Sequence, residues 1–210
     1  MKPGFSALRL VSASLSGVLL SGCLLKTATV PPHHFVLAPI PTDELSPAPK
    51  DPLSVEIGFV KMPAYLLRDS IAVRNGANEI KYLENALWGE RLDQSFQRAL
   101  RADFYWSLRS DPVHFAKAEG NRKGVKIFIT VHQFDVDTNG RGTLVAQWRI
   151  TASDGNEPVT SGYTSLARTG GSPRGNPAVI ARTMSELTAD FSSELTRSLS
   201  GSARAAAVSP

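Results

Sequence analysis

The chain has 210 residues, 23 Lys and Arg against 19 Asp and Glu, a formal charge of +4 and a single cysteine, Cys23. So small a positive balance is weak evidence for a nucleic-acid or anionic-membrane binder, so no nucleic-acid partner is expected, and a lone cysteine excludes an internal disulfide. The length is enough for one domain with a genuine core.

Residues 1–22 read as a secretion signal. Lys2 and Arg9 make a basic start, and the uncharged stretch from Leu10 to Leu20 is shorter than the roughly 20 residues a bilayer span needs. Leu20-Ser21-Gly22-Cys23 then matches the bacterial lipobox: a branched apolar residue, two small ones and a cysteine. The thiol accepts a diacylglyceryl group, and cleavage frees the Cys23 amine for a further acyl chain. At about 0.8 kcal/mol per buried CH₂, two or three chains hold a protein on a membrane. Cys23 is therefore the expected lipidation site, carrying covalent lipid such as palmitate, with no other cofactor. Leu24 rather than Asp follows it, which directs the expectation to the periplasmic face of the outer membrane. Removing 1–22 leaves 188 residues and a formal charge of +2, since Lys2 and Arg9 are the only charges in that segment.

Residues 23–52 read as a lipidated, proline-rich tether: seven of the 14 prolines lie between Pro31 and Pro52. Such a tether is extended and fairly stiff. Within it "HHFVLAP" has room for a short strand. The folded domain is expected over 53–200, with 201–210 as a disordered tail. "LSVEIGFVKMP" alternates Val55, Ile57 and Phe59 against Glu56 and Gly58, a half-buried strand stopped by Pro63. "SIAVR" and "EIKYL" are shorter strands around the turn signal "NGAN". A helix is expected from Ala86 to Arg109, with Leu92, Phe96, Ala99 and Leu100 on one face.

"VKIFITVHQFDV", "TLVAQWRITAS" and "PVTSGYTSLAR" are three alternating strands joined through Asn139-Gly140 and Asp154-Gly155, dipeptides that tolerate positive φ in tight hairpins. After "TGGSPRGNP", Asn176 and Pro177 can start a second helix whose apolar stripe is Ile180, Met184, Leu187, Phe191 and Leu195. The expected fold class is α+β: an antiparallel sheet with a C-terminal three-stranded meander, packed by two amphipathic helices.

The search for chemistry yields little. His132, Asp135 and Asp137 lie on one strand, but His132 points away from the two carboxylates unless a bulge intervenes, so no metal site is expected. His33-His34 belongs to the tether, and His114 has no carboxylate at ligand spacing. "RTGGSPRGNP" lacks P-loop spacing; a phosphate contact through Arg168 or Arg174 is its one functional version. There is no G-x-S-x-G elbow, and the expectation is that the protein is not an enzyme. Tyr105-Trp106 differs: Tyr105 falls about 180° from Phe96 on a helix wheel, so both rings cannot share the core. The pair either packs under a loop or serves as an interface anchor.

"IGFVKMPAYLLRDSIAVR" resembles the signature of the ABC-type transport auxiliary lipoproteins, the PqiC-like group. Ile57, Gly58, Val60, Pro63, Ala64, Tyr65, Leu66, Arg68 and Ile71 match its pattern in order. Tyr82, Trp88 and Leu92 in "NEIKYLENALWGERL" and Trp148 in "LVAQWRI" fit later blocks, and the resemblance spans roughly 33–200. Leu67, Asp69 and Phe59 depart from it, standing where the family often has Asp, Pro and Pro. The resemblance implies a non-catalytic accessory of an MCE/ABC-type intermembrane lipid transport system, an MCE-domain protein as its partner, and a collar that would itself form a homo-oligomeric ring. The alternatives are an anchored cell-wall hydrolase and a structural lipoprotein bridging outer membrane and peptidoglycan.

Overall fold

The computed structural model describes residues 31–40, 54–108, 124–152 and 158–208. Cys23, the signal segment, most of the tether and His114 lie outside the described residues. The elements run β1 (His33–Phe35), β2 (Ser54–Lys61), β3 (Ser70–Arg74), β4 (Ile80–Trp88), α1 (Leu92–Leu108), β5 (Gly124–Asp137), β6 (Arg141–Ala152), β7 (Pro158–Thr169) and α2 (Ala178–Val208). A single 3₁₀ turn, Ala64–Leu66, sits between β2 and β3.

Period-two patterning makes β5, β6 and β7 strands, and they pair as the expected antiparallel meander. The β5–β6 hairpin closes on Gly140 at φ +85°, a conformation that costs glycine little. Asp137 helps to hold it, because its Oδ1 accepts hydrogen bonds from the backbone amides of Asn139 at 2.8 Å and Arg141 at 2.9 Å.

All strands join one sheet in the order β1-β4-β3-β5-β6-β7, with β2 also on β5. The class is α+β, but the sheet is mixed rather than antiparallel throughout: β1 runs parallel to β4, and β2 and β3 run parallel to β5. Parallel pairs join strands distant in sequence, so no hairpin dipeptide announces them.

Three local expectations differ from the structure, the first two because of these pairings. Ala86–Trp88 is strand rather than the opening of a helix. It lies in register with His33–Phe35, the Trp88 amide donates to the Asp69 carbonyl at 2.7 Å, and the Gly89 amide donates to the Phe35 carbonyl at 2.7 Å. Helix α1 therefore starts only at Leu92. Phe59 does not continue the buried face of Val55 and Ile57. The β2–β5 register shifts between Ile57 and Val60, so one extra residue bulges; Val60 is buried in its place and Phe59 turns outward, 49% exposed. Finally, α2 keeps helical backbone to Val208, reaching into the segment 201–210 that sequence patterning leaves as a tail.

Both helices cover one face of the sheet. Phe96 of α1 lies between Phe134 of β5, with ring centroids 5.3 Å apart, and Phe191 of α2 at 6.1 Å. The expected stripe of α2 is buried from Ile180 to Leu195. Asn176 contributes to the start of α2 through its main-chain carbonyl, which accepts from the Val179 amide at 3.2 Å. Among the described residues no helix is long and apolar enough to cross a membrane.

Candidate functional site

One residue of the family-like signature, Tyr65, meets a buried carboxylate, Asp135. Asp135 alternates with Phe134 and Val136, so it points to the face of β5 opposite the helices, yet it is only 1% exposed. The 3₁₀ turn after Pro63 and the end of β3 cover it. Its Oδ2 accepts from the Tyr65 hydroxyl at 2.7 Å and from Arg74 Nη2 at 2.6 Å; its Oδ1 accepts from Arg74 Nε at 3.0 Å and Gln133 Nε2 at 2.9 Å. Arg74 Nη2 also donates to the Tyr65 oxygen at 3.3 Å. Burial, reinforced by the hydrogen bond to Asp135, pushes the Tyr65 phenol up, while the same carboxylate raises Arg74. Tyr82 extends the knot: its hydroxyl donates to the Tyr65 carbonyl at 3.2 Å, and the Arg68 guanidinium lies 4.8 Å from its ring centre.

Four donors saturate the lone pairs of Asp135. A general base needs a lone pair facing a substrate proton, so this carboxylate is a structural lock. Sequence patterning singles out Asp135 only as a metal candidate and passes over Arg74 and Gln133. Asp135 falls on a polar position of the alternating "QFDV", so the sequence pattern carries no signal for its burial. A bulge does occur between Val131 and Gln133, yet His132 is exposed while Asp135 is buried. Among the described residues no three His, Cys, Asp or Glu side chains are grouped to hold a metal ion.

The segment following β1 forms a second polar device, a strap held by α1 and α2. Leu37 is fully buried, and its amide donates to Ser95 Oγ at 3.0 Å while its carbonyl accepts from Arg98 Nη2 at 2.8 Å. The Ala38 amide donates to Ser185 Oγ at 3.0 Å, and the Ile40 amide to Asp103 Oδ1 at 3.2 Å. Burial raises the Asp103 carboxyl to about 7, against the lowering effect of the Ile40 amide. The hydroxyls and carboxyl thus replace the ladder partners that an irregular backbone lacks.

Tyr105 and Trp106 sit in the last turns of α1, with rings edge to face at 5.4 Å. Tyr105 is 39% exposed whereas its neighbour Phe104 is buried, so the wheel argument is met and one ring faces outward. Arg168 is engaged by Asp190 at 2.5 Å and by Glu186 at 3.5 Å.

A family model described as the ABC-type transport auxiliary lipoprotein component matches residues 35–196. Among solved structures, a Xanthomonas campestris protein of the DUF330 family aligns with a TM-score of 0.65 at 15% identity, covering 84% of this chain and 99% of that one. An uncharacterized protein aligns with a TM-score of 0.61 at 14% identity, covering 81% of this chain and 99% of its own. At such identities the likeness is one of fold. No curated protein matches the sequence.

Proposed function

Because the chain belongs to the ABC-type transport auxiliary lipoprotein family, we propose that it acts as a non-catalytic, lipid-anchored periplasmic accessory of an MCE/ABC-type intermembrane lipid transport system. The reading has the domain held at the outer membrane through acylated Cys23 and docking an MCE-domain partner, with a homo-oligomeric ring as the form of the collar. Tyr105 and Trp106 are the proposed anchor of one such contact.

The observation that carries the non-catalytic part is the closed knot around Asp135. The family-like signature residues Tyr65 and Tyr82, together with Arg74, serve to lock β3, β4 and β5 together, and the Asp135 carboxylate at their centre is buried with four donors on its two oxygens.

The test is crosslinking in intact cells followed by mass spectrometry. An MCE-domain protein is expected among the adducts, and Tyr105→Ala with Trp106→Ala should lower its yield without changing thermal stability. Absence of any MCE partner, together with hydrolysis of a wall or lipid substrate by the purified lipoprotein, would reject the reading.

A further inference from the structure

The sheet face opposite the helices carries a row of side chains running across three strands. Lys61 Nζ of β2 lies 5.0 Å from the ring centre of Phe59; the Phe59 and Phe128 rings are 5.2 Å apart; the Arg149 guanidinium of β6 lies 5.2 Å from the ring centre of Phe128. The order is cation, ring, ring, cation. Phe128 and Arg149 are direct partners in the β5–β6 ladder, so the row follows the register.

Two backbone features build it. The β2 bulge turns Phe59 out of the core, against the hydrophobic gain of burying it, which is about 1.5–3 kcal/mol for a side chain of this kind. Gly58 makes the seat for the second ring: a Cβ there would come within 2.9 Å of the Phe128 ring carbons. The same face carries Tyr163, 65% exposed, on β7.

The charges identify the occupant. Lys126 on this face is paired with Glu56 at 3.0 Å, but neither Lys61 nor Arg149 forms an ion pair among the described residues. Two unneutralised cations bracket two aromatic rings, so the complement is a segment with carboxylates on either side of an apolar residue. A bilayer fits less well. Each surface cation contributes only about 1 kcal/mol towards an anionic membrane, whereas aromatic rings and arginine in a flat patch are the composition of protein interface hot spots.

We propose that the Lys61–Phe59–Phe128–Arg149 row is a docking strip for an extended acidic segment of a periplasmic partner protein, with its carboxylates on Lys61 and Arg149 and its apolar residue across the two rings. This rests on the reading of the chain as a docking accessory and adds a second contact face, separate from Tyr105 and Trp106.

The test places a photo-crosslinking residue at Gln147, exposed on the same face, in the full-length lipoprotein in intact cells. The adduct is expected to map to an acidic segment of another protein. Lys61→Glu with Arg149→Glu should reduce its yield at least about tenfold, and Lys61→Gln with Arg149→Gln should reduce it less, all variants unfolding at the wild-type temperature. Reversing the carboxylates of the captured segment to lysine should restore the adduct with the Glu variant. Adducts only with lipid or a second copy, no adduct, or a yield indifferent to charge reversal would overturn the strip. Capture of an acidic segment in a protein outside the MCE class would uphold the strip and sink the functional reading. MCE capture that depends on Tyr105 and Trp106 but ignores Lys61 and Arg149 would do the opposite.

Discussion

Asp103 of α1 accepts a hydrogen bond from the backbone amide of Ile40 at 3.2 Å, and its other carboxyl oxygen is buried without a hydrogen-bond partner among the described residues. A carboxyl in that position is easier to keep protonated than ionised, and burial raises it to about 7, well above the range of about 3.9 that it has in an unfolded chain. The folded protein therefore holds this proton more tightly than the unfolded chain does. The stabilisation is fully present below the unfolded value and is lost as pH rises through about 7.

The first prediction is that thermal stability falls between about pH 4 and about pH 7 and that Asp103→Asn flattens this slope. Asparagine keeps an oxygen for the Ile40 amide but carries no charge. At about 1.4 kcal/mol for each tenfold difference in proton affinity, the wild-type slope should amount to a few kcal/mol. Melting curves across that range check it; an equally steep slope in the variant would show that other groups set the dependence.

The second prediction concerns the knot. Arg74→Ala removes the partner that supplies two of the four donors to buried Asp135, and should cost about 3–5 kcal/mol. Tyr65→Phe removes one donor and should cost about 1–2 kcal/mol. Changing Arg74 and Asp135 together to apolar residues of similar volume should recover much of the Arg74→Ala loss. Denaturant unfolding measures all of these.

The third prediction concerns the tryptophans. Trp148 is buried, its Nε1 donates to Thr164 Oγ1 at 2.9 Å, and the Thr164 hydroxyl donates to Glu194 Oε1 of α2 at 2.8 Å. Trp148→Ala and Trp88→Ala should each cost about 3–5 kcal/mol. Gly162 is the ladder partner of Trp148, and a Cβ there would collide with the indole. Gly162→Ala should then destabilise by about 1–3 kcal/mol through overpacking alone. Unaltered stability in either tryptophan variant would move that residue from core to interface.

The fourth prediction is that Cys23→Ser abolishes labelling by a radioactive fatty acid, because serine has no thiol to form the thioether. Separation of wild-type membranes should recover the protein with the outer one, given Leu24. Recovery with the inner membrane would overturn that assignment.

Much of the layout was legible because its determinants are local. Alternation in 124–169 and the Asn139-Gly140 turn specify a meander of strands that are neighbours in sequence, and the Ile180–Leu195 stripe specifies α2 through positions three and four apart. The helix boundary at Ala86–Trp88 was not legible, because the deciding partners are His33–Phe35, far upstream in the chain. Nor was the site: Asp135 meets Tyr65 and Arg74 only through the parallel β3–β5 contact.

By itself the sequence determined the α+β class and the order of the family-like blocks and raised the expectation of a lipobox at Cys23, all from neighbouring residues or their spacing. The tertiary structure alone decided which polar groups find partners and which side chains face outward. The bulge between Ile57 and Val60 forms because β2 must keep register with β5, and that register turns Phe59 from an expected core residue into an exposed ring. Likewise Ser95, Asp103 and Ser185 read as unremarkable helix residues until the strap at 37–40 brings them its unpaired amides. Local preference is written in the chain, but hydrogen-bond satisfaction is settled only between segments that meet on folding.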